Sequence, residues 1–365
     1  MMKKITVRLK KPYAIYIGQN ASLDLKQRAK SLNLGNYGVV ITNKTIYSLY
    51  KKRIPRIFGR NKEVSFKFHV LPDTEKAKSF GSVLKIIDDV AKTSYEKRVF
   101  FVCWGGGVIG DLGAFTASIY KRGCPVVQMP TTLLAQIDSA IGGKTAIDLK
   151  VAKNLVGSFW QPDLVLSDVS FLKTLQPSQI KEGLAEAIKY GLIKDKQLFT
   201  FLEKDYAALL AKNPAKLLKL VCRCTAIKQK VVEIDEQEEK GIRTILNFGH
   251  TVGHALEASS NYRLSHGKAI ALGMIAALRV SEQEGLLQDA TILPRVIKMI
   301  KHAGLPVRQT LNTAKVMRAL KKDKKFIRGK MRMVLLKKIA AVRVKEGVKA
   351  ESVKAGIKLV AGQKT

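Results

Sequence analysis

Short apolar runs, each closed by glycine, proline or polar residues, mark the first half of the chain. GVVIT (38–42), RVFFVC (98–103), PVVQM (125–129) and DLVLS (163–167) are rich in Val, Ile and Phe. Runs of this length and continuity predict strands buried on both faces, as in a parallel sheet, with helices in the intervals. Near the start, ITVRL and YAIYIG flank KKP, which predicts a hairpin. From about Pro177 the period changes. Leu184, Ile188 and Leu192 recur every four residues, and the stretch 198–234 keeps helical spacing. Only MVLLKKIAAVRV, near 333–345, reads as a final strand pair. The pattern predicts an N-terminal α/β domain with a Rossmann-like, mostly parallel sheet over residues 1–177. A mainly α-helical C-terminal domain is expected over 178–365.

Composition narrows the class. A chain of 365 residues that is 46% hydrophobic has material for two cores. Its longest apolar run, AIALGMIAAL (269–278), is far short of the ~20 residues that span a bilayer. The start, MMKKITVRLKK, is basic but lacks the apolar stretch of a secretory signal. Four cysteines, of which only Cys222 and Cys224 are close, fit neither a disulfide framework nor a four-thiolate zinc site. Reduced thiols and a cytoplasmic location are expected, with no membrane partner.

Charge adds a preference for anions. Lys and Arg number 65 against 29 Asp and Glu, a net +36, densest in KVMRALKKDKKFIRGKMRMVLLKK (315–338). The surplus is spread along the chain, and no aromatic residues interleave with it as base-stacking platforms. A generally basic surface is expected rather than a dedicated nucleic-acid site.

Two stretches carry candidate chemistry. In RVFFVCWGGGVIGDLGAFTASI, Gly105, Gly107 and Gly110 fit G-x-G-x-x-G between a strand and a helix, where backbone amides approach a pyrophosphate. The acidic ribose ligand usual ~20 residues later is absent, since position 130 is Pro. A second glycine pair follows in PTTLLAQIDSAIGGKTAIDLKVAKNLVG, with Lys144, Lys153 and Asn154 beside it as candidate phosphate contacts. The other stretch is LNFGHTVGHALE (246–257), read as a helix. It puts Asn247, His250, His254 and Glu257 on one face, with Val252, Ala255 and Leu256 on another. His266 follows in LSHGKAIALGM, and EGLAEAIKYGLI offers Glu186, which shares a face with Lys189. Two histidines and a carboxylate with an open position suit a catalytic zinc site, whereas Thr251 excludes the H-E-x-x-H arrangement. Spacing leaves open which histidines bind a metal and which merely pack.

Taken in order, GGGVIGDLGAFTASIYKRG, PTTLLAQIDSAIGGKTAID, KNLVGSFWQPDLVLSD, GLAEAIKYGLI, LNFGHTVGHALEA and HGKAIALGM resemble the 3-dehydroquinate synthase family. The likeness runs from about residue 70 to 280 and resumes weakly at DKK (323–325). It implies one divalent metal, zinc or cobalt, held by Glu186, His250 and His266, with His254 facing the substrate. It implies NAD contacts from Asp73, Glu75, Lys78, the loop Gly107, Val108, Ile109, Gly110 and Asp111, then Thr131, Thr132, Lys144, Lys153, and Phe171, Leu172, Lys173 and Thr174. The substrate side implied is Asp138, Lys144, Asn154, Lys189, Lys228, Arg243, Asn247 and His254. Arg122 matches an arginine that reaches into the neighbouring subunit's site, which implies a homodimer.

The reaction so implied converts 3-deoxy-D-arabino-heptulosonate 7-phosphate, a phosphorylated sugar acid, to 3-dehydroquinate and phosphate. It proceeds by transient oxidation with NAD, phosphate elimination, re-reduction and an intramolecular aldol. Lys144, Asn154, His254 and Arg122 are expected at the phosphate, Arg243 at the carboxylate, and Asp138, Lys189 and Lys228 at the ring hydroxyls. Lys324 or Lys325 adds a further phosphate contact, and Glu257 is a candidate outer partner for a histidine. Three positions depart from the family's pattern. Asn43 stands where Asp is frequent and Lys268 where Glu is common, and DEQEEKGIR (235–243) is one residue longer. The alternative is a related sugar-phosphate cyclase acting on a carboxylate-free sugar phosphate.

Overall fold

The computed structural model describes residues 2–59, 63–149, 151–322, 326–327 and 330–362, with no side chains described over 321–330. Lys324 and Lys325 lie outside the described residues. The chain divides into two compact units, Met1–Gln176 with Leu217–Gln237, and Pro177–Lys216 with Glu238–Thr365.

The first unit is built on a seven-stranded sheet of order β1-β2-β9-β6-β5-β3-β4. Its strands are β1 (Lys3–Val7), β2 (Tyr13–Gly18), β3 (Tyr37–Asn43), β4 (Ser65–Leu71), β5 (Val99–Gly105), β6 (Val126–Pro130) and β9 (Leu164–Asp168). β1 and β2 form the antiparallel hairpin expected from the sequence, and every other pairing in this sheet is parallel. β5, β6 and β9 are buried throughout, which is why their sequences show unbroken apolar runs and no alternation. Helices α1 (Leu25–Ser31), α2 (Lys44–Leu49) and α3 (Ile54–Phe58) precede β4 and frame an aromatic core of Phe58, Phe100, Trp104 and Phe171. Helices α4 (Phe80–Ser94) and α5 (Gly107–Ile119) contribute to a separate core, with Phe101, Phe115 and Val126. A small antiparallel pair, β7 (Lys144–Ile147) and β8 (Val156–Phe159), follows β6.

The second unit holds α6 (Pro177–Lys194), α7 (Lys196–Leu210), α9 (His250–Ser259), α10 (His266–Gln283), α11 (Ile292–His302), α12 (Thr313–Lys322) and α13 (Ala350–Val360). Helix α8 (Pro214–Ile234) lies mostly in the first unit. Met333–Lys338 and Ala341–Lys345 pair as the expected late hairpin. Both α6 and α10 are buried over most of their length, so a charge on their buried faces has to be paired. Helices α9 and α10 meet at glycines. A Cβ on Gly273 would sit 2.0 Å from the Gly249 carbonyl oxygen, so only glycine permits this approach. The helix read over 246–257 is in fact two pieces. A 3₁₀ turn, Ile242–Asn247, ends before Gly249, whose φ of 79° breaks the spiral, and α9 starts at His250. Asn247 is therefore not on the helical stripe with His250, His254 and Glu257.

No helix among the described residues is long and apolar enough to cross a membrane, and all four cysteines are free.

Candidate active site

In the first unit, β5 runs through Gly105 and Gly106 into α5. A Cβ on Gly105 would fall 2.7 Å from Ile109, so the turn is tight, and it leaves the first amides of α5 unpaired within the helix. Gly107 to Asp111 make up the opening turn of α5. Thr131 is buried and donates its amide to the Gly105 carbonyl at 2.9 Å, while Thr132 Oγ1 accepts from the Ala135 amide at 3.1 Å. Thr131 thus braces the glycine turn, and Thr132 caps the turn that follows it.

Lys78, only 4% exposed, donates to Asp111 at 2.6 Å and to the Asn154 side chain. Burial raises the Asp111 carboxyl above its ordinary value, and the Lys78 ammonium opposes that rise. Lys153 pairs with Glu75 at 3.2 Å. Lys228, from α8, pairs with the Asp138 carboxylate. Asp111, Asp138, Lys144, Asn154 and Lys228 line one cavity of about 510 Å³, so five residues singled out along the sequence share a single pocket of this unit.

Others among the expected cofactor contacts are committed to the scaffold. Asp73 caps α2 by accepting the Thr45 amide at 3.1 Å, and Asn43 caps the same helix through the Ile46 amide at 2.9 Å. Phe171 and Leu172 have buried side chains, whereas Lys173 and Thr174 are exposed on the same 3₁₀ turn, Val169–Thr174. Phe171 and Leu172 therefore have only backbone atoms to offer a ligand. Arg122 is exposed in a loop where Lys121, Arg122 and Gly123 have successive φ values of 49°, 62° and 125°.

In the second unit, Glu186, His250 and His266 converge, each with a ligand atom within 4.8 Å of the others. His250 and His266 point Nε2 at the same oxygen, Oε1 of Glu186, at 3.5 and 3.3 Å. Their other ring nitrogens are held from behind. Nδ1 of His250 donates to the Phe248 carbonyl at 3.2 Å, and Nδ1 of His266 lies 3.4 Å from Glu257. Outer partners of this kind fix the tautomer and aim of a ligating imidazole. Lys189 pairs with the remaining oxygen of Glu186.

The electrostatics follow from burial and these pairs. Burial alone would raise the Glu186 carboxyl, but Lys189 and the two imidazoles outweigh it and hold it well below the usual carboxylate range. Burial and the nearby Lys189 charge push His250 well down, against the Glu186 charge, which favours its protonation. His266 goes the other way. Burial opposes protonation, yet Glu186 and Glu257 prevail and raise it to about 10. Both Glu186 oxygens are buried without an aligned hydrogen bond. A buried carboxylate in that state, facing two imidazole Nε2 atoms, is a donor set that suits a divalent ion of borderline softness.

His254 is exposed and 5.2 Å from His250, ring to ring; with Glu257 and His266 it forms a second, overlapping ligand cluster. Arg243 is buried beside Glu238, at 3.4 Å, in the 3₁₀ turn that also carries the half-buried Asn247. Lys268 is exposed. Sequence reading passed over Glu182, which bonds to the residues on either side of His266; its spacing of four from Glu186 was the available signal.

The fold is that of the sugar-phosphate cyclases. A 2-epi-5-epi-valiolone synthase from Streptomyces hygroscopicus subsp. jinggangensis 5008, solved with NAD+ and Zn2+ bound, superposes with a TM-score of 0.86 at 27% identity, covering 95% of this chain and 96% of that one. A 2-deoxy-scyllo-inosose synthase complexed with carbaglucose-6-phosphate, NAD+ and Co2+ gives 0.87 at 23% identity, over 98% and 99% of the two chains. Sequence narrows the class further. Residues 68–182 match the N-terminal part of 3-dehydroquinate synthase and 183–326 its C-terminal part. The 3-dehydroquinate synthase of Nitrosococcus oceani is 38% identical over 359 residues, 97% of this chain and 98% of that protein. The chain belongs to the 3-dehydroquinate synthase family.

Proposed function

We propose that this protein converts 3-deoxy-D-arabino-heptulosonate 7-phosphate to 3-dehydroquinate and phosphate, working in the cytoplasm as a homodimer with NAD and one divalent metal, zinc or cobalt. The observation that carries the reading is the convergence of Glu186, His250 and His266, in a chain related over nearly its whole length to synthases of that name. Bound NAD would supply a reversible hydride acceptor, and a divalent ion held by Glu186, His250 and His266 would supply polarisation of an alcohol oxygen.

The rest falls to the chain's own groups. Gly107 to Asp111, with Thr131, Thr132, Lys78 and Lys153, are assigned to the dinucleotide, its pyrophosphate on the first amides of α5. Asp73, Glu75 and the turn Phe171 to Thr174 complete that set. In the first unit's pocket, Lys144 and Asn154 offer donors to a phosphate, and Asp138 with Lys228 offers an acceptor and a donor to hydroxyls. In the second unit, Glu186, His250 and His266 are the metal ligands, His254 and Asn247 contact substrate, Lys189 meets a hydroxyl, and Arg243 takes the carboxylate. Arg122 is assigned to the neighbouring subunit's phosphate, which suits its exposed loop. The net +36 charge suits a substrate that carries both a phosphate and a carboxylate. Such a site acts through orientation and charge stabilisation.

The test compares phosphate release from the heptulosonate phosphate, sedoheptulose 7-phosphate and glucose 6-phosphate, with NAD and zinc, with and without chelator. Chelator-sensitive release from the first, without steady NADH absorbance, is expected. Release only from a carboxylate-free sugar would move the assignment to another cyclase, and NADH accumulation would make the protein a dehydrogenase.

A further inference from the structure

We propose that Glu182 is a positioning residue for the metal ligand His266, an assignment that rests on the metal reading above. Helix α10 opens at His266, and Ser265, which precedes it, makes no side-chain cap to the helix. The opening amides of a helix need acceptors, and its N-terminus favours negative charge. Glu182 supplies both from α6. Its Oε2 accepts the Gly267 amide at 2.5 Å and its Oε1 accepts the Ser265 hydroxyl at 2.5 Å. One carboxylate therefore ties down the residue before His266 and the residue after it.

The same helix carries the other half of the arrangement. Glu186 lies four residues beyond Glu182, on the same face and about 6 Å along the axis. The clamp on the His266 backbone and the carboxylate facing its Nε2 are thus set apart by the helical rise of α6. Gly267 makes the approach possible, since a Cβ there would fall 2.7 Å from Glu182 Cα and 3.0 Å from its carbonyl oxygen. With Glu257 at Nδ1, the imidazole is fixed in position by Glu182 and in rotation by Glu257.

The experiment measures zinc affinity by competition with a chromophoric chelator, and the visible spectrum of the cobalt-loaded protein, for wild type, Glu182→Ala, Glu182→Gln and Glu284→Ala. Glu284 sits just past the far end of α10 and serves as a control for general loss of helix stability. Glu182→Ala is expected to weaken zinc binding roughly ten- to a hundredfold and alter the cobalt bands. Glu182→Gln, which keeps one acceptor oxygen and the side-chain volume, is expected to fall between, and it carries the test if the alanine variant does not fold. Glu284→Ala is expected to lower the melting temperature while keeping wild-type zinc affinity. Wild-type affinity and spectrum in both Glu182 variants, or equal zinc loss in Glu284→Ala, would overturn the role. A wild-type protein that binds no zinc would remove the metal reading itself.

Discussion

Lys189 and Glu186 lie one turn apart on α6, and the Lys189 ammonium takes Oε2 of the carboxylate while Oε1 faces the imidazoles of His250 and His266. Both side chains are almost wholly buried, Lys189 at 2% exposure and Glu186 at 0%. The pair therefore divides one carboxylate between a permanent cation and a site for an exchangeable one. Removing one partner of a buried ion pair costs about 3–5 kcal/mol, because the other charge is left uncompensated. Lys189→Met is expected to lose that much stability in chelator-treated protein and distinctly less with zinc bound. Thermal unfolding with and without zinc checks this. An equal loss in both states would mean that the two cations do not share Glu186.

The glycine turn separates ligand approach from packing. A Cβ on Gly107 would meet Ser139 alone, no nearer than 3.4 Å at its Oγ, whereas a Cβ on Gly113 would lie 2.6 Å from Cys103 Sγ. Gly107→Ala should fold with near-wild-type stability yet bind NAD at least about tenfold more weakly, because a methyl group stands at the helix opening. Gly113→Ala should lose about 1–3 kcal/mol through overpacking, with NAD affinity little changed. Calorimetric titration with NAD and a melting curve for each variant distinguish them. Wild-type NAD binding by Gly107→Ala would mean that this turn does not cradle the dinucleotide.

Much of this was legible in the sequence where the signal is local. Fully buried strands such as Val99–Gly105 and Leu164–Asp168 declare themselves as apolar runs, because neither face meets water. The break at Gly249 was not legible, since a glycine inside helical spacing reads as tolerable until its φ of 79° is known. Nor did spacing separate His250 from His254, which share a face of α9. What separates them is burial and the direction of Nε2, both set by residues far away in the chain. Glu182 was missed for a similar reason, as its partners Ser265 and Gly267 lie more than eighty positions later. Helical spacing through 198–234 likewise gave no sign that Leu217–Gln237 belongs with the first unit, because periodicity reports a helix and not its neighbours.

Acid stability should depend on Glu284. Its Oε1 accepts from the Ser352 hydroxyl at 2.6 Å and the Lys349 amide at 3.2 Å, and its Oε2 pairs with Lys345 at 2.5 Å. Burial by itself would raise this carboxyl, but these partners outweigh it and lower it below its ordinary value of 4.5. A group lowered on folding stabilises the native state above its unfolded value, and that contribution disappears as pH falls through the folded value. Glu284→Gln is therefore expected to be less stable than wild type at neutral pH by roughly 1–3 kcal/mol. The gap should narrow below pH 4.5. Denaturant melts across pH 3 to 7 measure it, and a gap that stays constant down to pH 3 would show that ionisation of Glu284 contributes nothing.

The three histidines should part company when each is replaced. His250 and His266 are backed at Nδ1, by the Phe248 carbonyl and by Glu257, and both present Nε2 to Glu186. An imidazole fixed from behind and aimed at a buried carboxylate is arranged to ligate. His254 is exposed, and Glu186 is not a member of its cluster. His250→Ala and His266→Ala are each expected to lower zinc affinity by at least about a hundredfold, beyond what removal of an outer partner costs. His254→Ala should retain its zinc and lose turnover, and Glu257→Gln should fall between, since it disturbs His266 without removing it. Metal content after dialysis, read beside kcat, gives the four answers together. If all three alanine variants lose zinc equally, His254 is a ligand as well and the division into two ligands and one substrate contact fails, whereas zinc loss from His254→Ala and His266→Ala alone would favour the overlapping cluster of His254, Glu257 and His266.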